Sequence, residues 1–404
     1  MPRLPIARTG SKLAILQAPV EFSYFPTYQG VHRVGMHTKV YASDAWVLIK
    51  AAIRQDAANP HRDDATAFAD QAEKFYRAAA NAKTPHGRPL LLYYCFMNLV
   101  KALCLHRGNA RVLGKAMHGV ADTRNQFVDL DHAIIEASPS TPLPPPAPPA
   151  VPAAPAAPPT VGAPAAPAPP PSPPPANVFH EFLVSALSAG LTGRQAYQIR
   201  DVLACSLVGH RLWTEAAQSV ERFLKLTAIE IIHDSASRAL WLRARIAQSS
   251  LSRHGFTQAQ VTAGGFGAGW QAVRLRTARP SSTILWEQTN AVTYTHRPSD
   301  SLEALAASAR RVFYRSLTTS EPFRNYYVYV PPTGYAKHDQ LAARYILLFF
   351  LGSVTRYHPH NFESYLNGPY GPFLAEFLAS EPSQMLFELA CLFLKREIVT
   401  VGLT

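Results

Sequence analysis

The stretch Asp339–Asn361, DQLAARYILLFFLGSVTRYHPHN, decides the fold. Between Arg344 and Arg356 lie eleven uncharged residues, mostly large and apolar, with Gly352 and Ser353 the smallest. One helical face takes Leu341, Tyr345, Leu348, Phe349 and Gly352. The opposite face takes Ile346, Leu347, Phe350, Leu351 and Val354. A helix that is apolar all round is packed by protein on every side. The run is shorter than the roughly 20 apolar residues that span a bilayer, so it reads as a central core helix. Pro359 ends it and pushes His358 out of helical geometry.

A second run of the same kind, LLLYYCFMNLVKALCLH, extends from Leu90 to His106. The two helices are expected to pack on each other, with Gly352 letting a neighbouring backbone approach. Before them, Ala42–Ala58 and Asp63–Ala82 show helical periodicity with apolar stripes. Downstream, NVFHEFLVSALSAG from Asn177 to Gly190 reads as a helix, and Thr192 as the cap of another running to about Leu207. Trp213–Ile246 reads as two amphipathic helices broken near His233–Asp234. From His254 the pattern alternates, is rich in Thr and Val and is cut by glycines, which predicts a small sheet. Leu302–Leu317 reads as helical again, FRNYYVYVPPTG as a short strand, and PFLAEFLAS and SQMLFELACLFLKREI as two closing helices.

Residues 139–175 interrupt this order. Nineteen of the 37 are proline and none is charged. Such a segment favours polyproline II and reaches about 115 Å if fully extended, at about 3.1 Å per residue. It reads as a spacer, or as a docking track for proline-recognising modules. The fold class is therefore mainly α with a small β insertion (α+β) around central buried helices. An N-terminal helical region spans 1–138 and a Pro/Ala-rich linker 139–176. A C-terminal region spans 177–404, with the β insertion at about 254–331, and the two helical regions are expected to pack as one body.

The 404 residues are 48% hydrophobic and 16% charged, which fits a chain with a sizeable core. A net charge of +12 makes acidic partners worth considering. The four cysteines have no CxxC spacing and read as buried thiols in a reducing compartment. The N-terminus lacks a signal-peptide apolar core, so a cytoplasmic protein is expected. The stretch GGFGAG, Gly264–Gly269, lacks the GxGxxG spacing and reads as a flexible hairpin. No Walker A, GxSxG or HExxH motif occurs, and no cofactor is implied.

Three groups of residues carry possible chemistry. Arg111 and His118 are separated by six residues, a spacing within the Arg-x(4–6)-His pattern of HEPN ribonucleases. There the histidine moves a proton and the arginine holds the phosphate. Arg356, at the end of the central helix, suits the helix dipole, or forms an anion site with Arg344. His358 and His360 next to it are possible metal ligands, with Glu363 the nearest third. Lys101 on the second apolar helix either snorkels or lines a pocket. The third group is a basic segment: between Asp234 and Glu287 there is no acidic residue. Arg238, Arg243, Arg245, Arg253, Arg274, Arg276 and Arg279 all fall inside it, interleaved with Trp241, Phe266 and Trp270. A solvated basic face, nucleic acid, an anionic membrane surface and an acidic protein partner all remain open there.

Two blocks are shared with a known family. Pro89–Ala102, PLLLYYCFMNLVKA, is followed by His118–Gly119, and Tyr345–Pro359 reads YILLFFLGSVTRYHP. Together they resemble the YaaC-like family, whose members show PLLLYY-x-x-x-NL-x-KA, then HG, then LLF-x-LGS-x-x-RY-x-P. NVFHEFL is similar to a further family element. The proline tract departs from the pattern, standing where the family carries an ordinary loop. The resemblance implies a sensor or adaptor without its own catalytic centre, since some members are sensor components of two-gene anti-phage defence systems. It would recognise an infection-associated, phage-derived component and recruit or license a partner effector encoded nearby. Two other readings stay open: a HEPN-like ribonuclease using Arg111 and His118, and a nucleic-acid- or anionic-surface-binding module using the basic segment.

Overall fold

Helix α1 (Ala45–Gln55), α2 (Arg62–Ala80) and α3 (Arg88–His106) open the helical part of the chain, and α4 (Val178–Leu187) follows the proline tract. Short helices α5 (Ile199–Ala204), α6 (His210–Ala216), α7 (Gln248–His254) and α8 (Gln258–Gln260) are interspersed with strands. Then come α9 (Leu302–Arg310), α10 (Gln340–Tyr357), α11 (Pro359–Asn367) and α12 (Gly371–Leu394). The computed structural model describes residues 4–15, 17–26, 39–82, 84–114, 116–122, 129–142, 175–276, 282–317 and 325–400. The proline tract from 143 to 174, and Arg279, lie outside them.

Helix α10 is the predicted central helix. The Asp339 side chain caps it, accepting from the Leu341 and Ala342 amides at 2.9 and 3.2 Å. Residues 340–352 and Val354 are buried without interruption. At its end His358 leaves helical geometry (φ −139°, ψ 58°), and Pro359 starts α11 in the position where proline is favoured. Helix α10 packs on α3 where Gly352 meets Tyr93. A Cβ built on Gly352 would stand 3.0 Å from Tyr93 Cβ and 3.5 Å from the Pro89 carbonyl oxygen, so a missing side chain sets the approach of the two helices. Helices α3 and α12 are long and apolar enough to cross a membrane. Both lie inside the fold instead, with 67% and 72% of their apolar windows buried.

Buried charge fixes α10 to its other neighbours. Arg344 pairs with Glu381 and Glu388 of α12. Arg315, which has no exposed surface, lies 3.4 Å from Glu388 and 3.9 Å from Glu397. The rings of Tyr24 and Phe25 cover its guanidinium at 4.9 and 5.5 Å.

Strands form more of the molecule than the expected insertion. The fold is α+β rather than mainly α, with β structure well outside 254–331. The largest sheet is antiparallel in the order Ser11–Lys12, Ala228–Asp234, Ala239–Ala247, Thr283–Gln288, Trp270–Val273. Its two central strands correct the reading of 228–246 as helix. ALWLRARIA alternates, placing Leu240, Leu242, Ala244 and Ile246 on the main core, with Trp241 in a small second cluster on the other face. His233–Asp234, the expected site of a break, ends the strand just before the hairpin turn, which is passed with Arg238 at φ 51°. A second sheet runs Phe313–Ser316, Asn325–Tyr329, Phe223–Lys225, so α9 stops at Arg310 and does not reach Leu317. A third joins Val120–Asp122, Ile134–Ala137 and Gln195–Gln198. Thr192 therefore precedes a strand and caps no helix. Residues 261–266 form a π-helical turn rather than a hairpin, with Phe266 stacked on Trp286 at 5.1 Å. The two closing helices are one, α12, with Pro382 inside it.

One hydrophobic core runs from Leu13 to Ile398 and draws on both sides of the proline tract. The tract's ends are pinned together. The Thr141 amide donates to the Pro175 carbonyl at 3.4 Å, and Asn177 Nδ2 donates to the Pro139 carbonyl at 2.7 Å. The chain therefore closes without needing the residues between. Deleting residues 143–174 across a short Gly/Ser bridge should leave unfolding cooperative and the melting temperature within about 2–4 °C of the parent, because loop length enters stability only logarithmically. A large drop in a thermal melt would show that the tract packs on the body.

Candidate anion-binding cleft

The segments carrying the family resemblance meet at one place. Tyr93 and Tyr94 of α3, the His118–Gly119 turn, and Gly352, Arg356 and Tyr357 of α10 line a cleft of about 620 Å³. Asn177, just ahead of α4, closes the arrangement from behind. The Val178 and Phe179 amides donate to the Met117 and His118 carbonyls at 2.8 and 3.2 Å. Asn177 also explains the glycine after His118: at φ 78°, a Cβ on Gly119 would sit 2.6 Å from Asn177 Cβ.

Within the cleft, the Tyr93 hydroxyl bonds His118 Nδ1 at 2.6 Å. Burial holds the Tyr93 phenol protonated, far above the ordinary tyrosine range. His118 stands exposed at the cleft mouth, yet its pKa is lowered, first by desolvation and then by the positive charges of Lys101 and Arg356. Arg356 is exposed. It donates to the Tyr94 hydroxyl at 3.0 Å and lies 5.0 Å from the centre of the Tyr357 ring. Tyr94 is backed by Phe75, stacked at 5.6 Å. Lys101, two turns along α3 from Tyr94, is half-buried over the Phe68 ring at 5.2 Å, and desolvation lowers its pKa. Among the described residues, neither Lys101 nor Arg356 has a carboxylate partner. Arg356, without an ion pair among the described residues, thus lines an aromatic cleft together with His118, and the charge of Lys101 is felt at that histidine, which suits an anion.

Other arginines are committed elsewhere. Arg344 does not join Arg356 in an anion site, because it is buried between Glu381 and Glu388. Arg111 and His118 have separate partners: Arg111 pairs with Glu181 at 2.9 Å and donates to the Thr141 carbonyl, while His118 keeps to Tyr93 and Phe349. The basic segment is not one solvated face. Arg243 is buried and bonds Glu287 at 3.2 Å, and Arg245 bonds Glu230 at the same distance. Strand register puts Glu230 and Glu287 directly opposite Arg243 on its two sides. Arg238, Arg274 and Arg276 are exposed, although Arg238 and Arg274 also tie down the Thr295 and Leu4 carbonyls. His358 and His360 have ring centres 6.5 Å apart. Among the described residues no group of three His, Cys, Asp or Glu side chains is placed to hold a metal. The four cysteines are buried and none is in a disulfide, and burial pushes the Cys104 and Cys205 thiols up to about 12.

A second cavity of about 500 Å³ also gathers cations. There Arg107 donates to the Leu392 carbonyl at the end of α12, at 2.5 Å, and Arg310 pairs with Glu303. These charges are answered by helix-end carbonyls and a carboxylate.

Taken together, this is an α+β protein built on two packed core helices, with an open cationic cleft where they meet. A family model described as YaaC-like Protein matches residues 33–132 and 176–393, and the chain belongs to that family. No curated protein and no solved structure matches the chain.

The cleft depends on the close approach of α3 and α10. Gly352→Leu should overpack against Tyr93 and the Pro89 carbonyl and cost roughly 1–3 kcal/mol or more. Urea unfolding of the purified variant checks this. Parental stability would mean that the two helices do not press together at this point.

Proposed function

We propose that the chain is a non-catalytic recognition protein of an anti-phage defence system. Its cleft takes an anionic, infection-associated component, and the occupied protein recruits or licenses a partner effector. The family membership motivates the setting, and the cytoplasm is the compartment it implies. One observation carries the role of the cleft: blocks some 250 positions apart in the chain, Pro89–Ala102 and Tyr345–Pro359, meet around Arg356 and His118.

The Tyr93 hydroxyl and His118 Nδ1 share a hydrogen bond whose direction follows the ring tautomer, so the pair by itself serves anion recognition or proton transfer. The ribonuclease reading further requires Arg111 at the same phosphate, and Arg111 is tied to Glu181.

The test uses cells carrying the chain with its genomic neighbours, challenged with phage. Arg356 is exposed, so Arg356→Gln should leave melting nearly unchanged and abolish protection in a plaque assay. Full protection by this variant would remove the cleft from the account. Cleavage of total RNA by the pure protein that vanishes in well-folded His118→Ala would replace the recognition role with an enzymatic one.

A further inference from the structure

We propose that the cleft between α3 and α10 binds a nucleoside phosphate, with the phosphate at Arg356 and His118 and the base against Tyr357 and Tyr94. This rests on the preceding reading of the cleft as the recognition site and names its ligand class.

Charge narrows the class first. Among the described residues Arg356 and Lys101 make no ion pair with a carboxylate, and after desolvation both add to the lowering of the His118 pKa. A phosphate monoester carries about −1.5 to −2 near neutral pH and offers three acceptor oxygens. It can therefore accept from a guanidinium and an imidazole N–H together, which a single carboxylate does less completely. The walls narrow it further. Inorganic phosphate would leave the tyrosine-rich part of the cleft unused, whereas a base has a flat face to lay on an exposed ring. Tyr357 is 62% exposed, a large aromatic side chain left open beside Arg356. A volume of about 620 Å³ accommodates a small organic ligand of mononucleotide size.

The same chemistry is presented by a free nucleotide and by the 5′-phosphorylated end of an oligonucleotide. Calorimetric titration of the full chain with the four nucleoside 5′-monophosphates, adenosine, inorganic phosphate and a 5′-phosphorylated tetranucleotide separates them. At least one monophosphate should bind about tenfold or more tightly than either inorganic phosphate or adenosine. Arg356→Gln should weaken it by about tenfold or more, and Tyr357→Ala by roughly fivefold or more. Both side chains are exposed, so thermal melts of the variants should match the parent. Tighter binding of the tetranucleotide assigns the site to a strand end, and equal or weaker binding to a free nucleotide. The proposal is overturned if no monophosphate or phosphorylated end binds, if binding is no tighter than that of inorganic phosphate, or if neither substitution weakens it. The ligand class and the recognition role fail separately. Absent nucleotide binding with protection still lost in Arg356→Gln cells removes only the ligand class. Normal protection by a variant that no longer binds nucleotide removes the recognition role.

Discussion

Arg344 lies inside the protein between two glutamates of α12, while Arg315 stands beside the second of them and reaches toward Glu397. Charges taken out of water are tolerated only when paired, and removing one partner of such a pair typically costs about 3–5 kcal/mol. This cluster therefore fixes more than a local contact. It ties α10 to α12, α12 to the strand Phe313–Ser316, and that strand to the chain's last strand, Glu397–Thr400. With α10 held along one side by charge, its other side presses on α3 through Gly352. The positions of Arg356 and Tyr357, at the end of the same helix, follow from those two constraints.

The molecule uses its cations in two distinct ways. Arg111, Arg243, Arg245, Arg315 and Arg344 each find a carboxylate, and their charge serves the fold. Arg356 and Lys101 find rings and a hydroxyl instead. Rings and hydroxyls orient a cation without neutralising it, so positive potential persists where the two core helices meet. A net charge of +12 says little by itself about where an anion would bind. The distinction between answered and unanswered charges locates the site.

That distinction is where the sequence is hardest to read. Helix α10, its Asp339 cap, its stop at Pro359 and its contact with α3 are legible because they depend on local periodicity and on one small residue in a bulky run. The basic segment misleads because its counter-charges, Glu230 and Glu287, sit outside it along the chain and beside it in the sheet. The strands Ala228–Asp234 and Ala239–Ala247 were open to a helical reading for a related reason. Short apolar runs satisfy both periods, and the pairing that decides between them is not local. The closing segment reads as two helices, yet one helix, α12, runs through Pro382 with buried residues on both sides of it. Of the cleft residues, His118 and Arg356 are singled out by the sequence, as is Lys101 nearby. Tyr93, Tyr94 and Tyr357 are not, because a tyrosine in an apolar helix is ordinarily core. Only the spatial meeting of the two blocks gives them a role.

The central claim is that Arg356 and Lys101, neither of them ion-paired among the described residues, set positive charge near His118. The most direct measurement is an NMR pH titration of the His118 ring in the parent and in Arg356→Gln, with the resonance assigned by its loss in His118→Ala. The account predicts a pKa below the ordinary histidine value of 6.5 in the parent, since desolvation, Lys101 and Arg356 all disfavour the imidazolium. It predicts an upward shift when the Arg356 charge is removed. A parent value at or above 6.5 that Arg356→Gln leaves unmoved would contradict it.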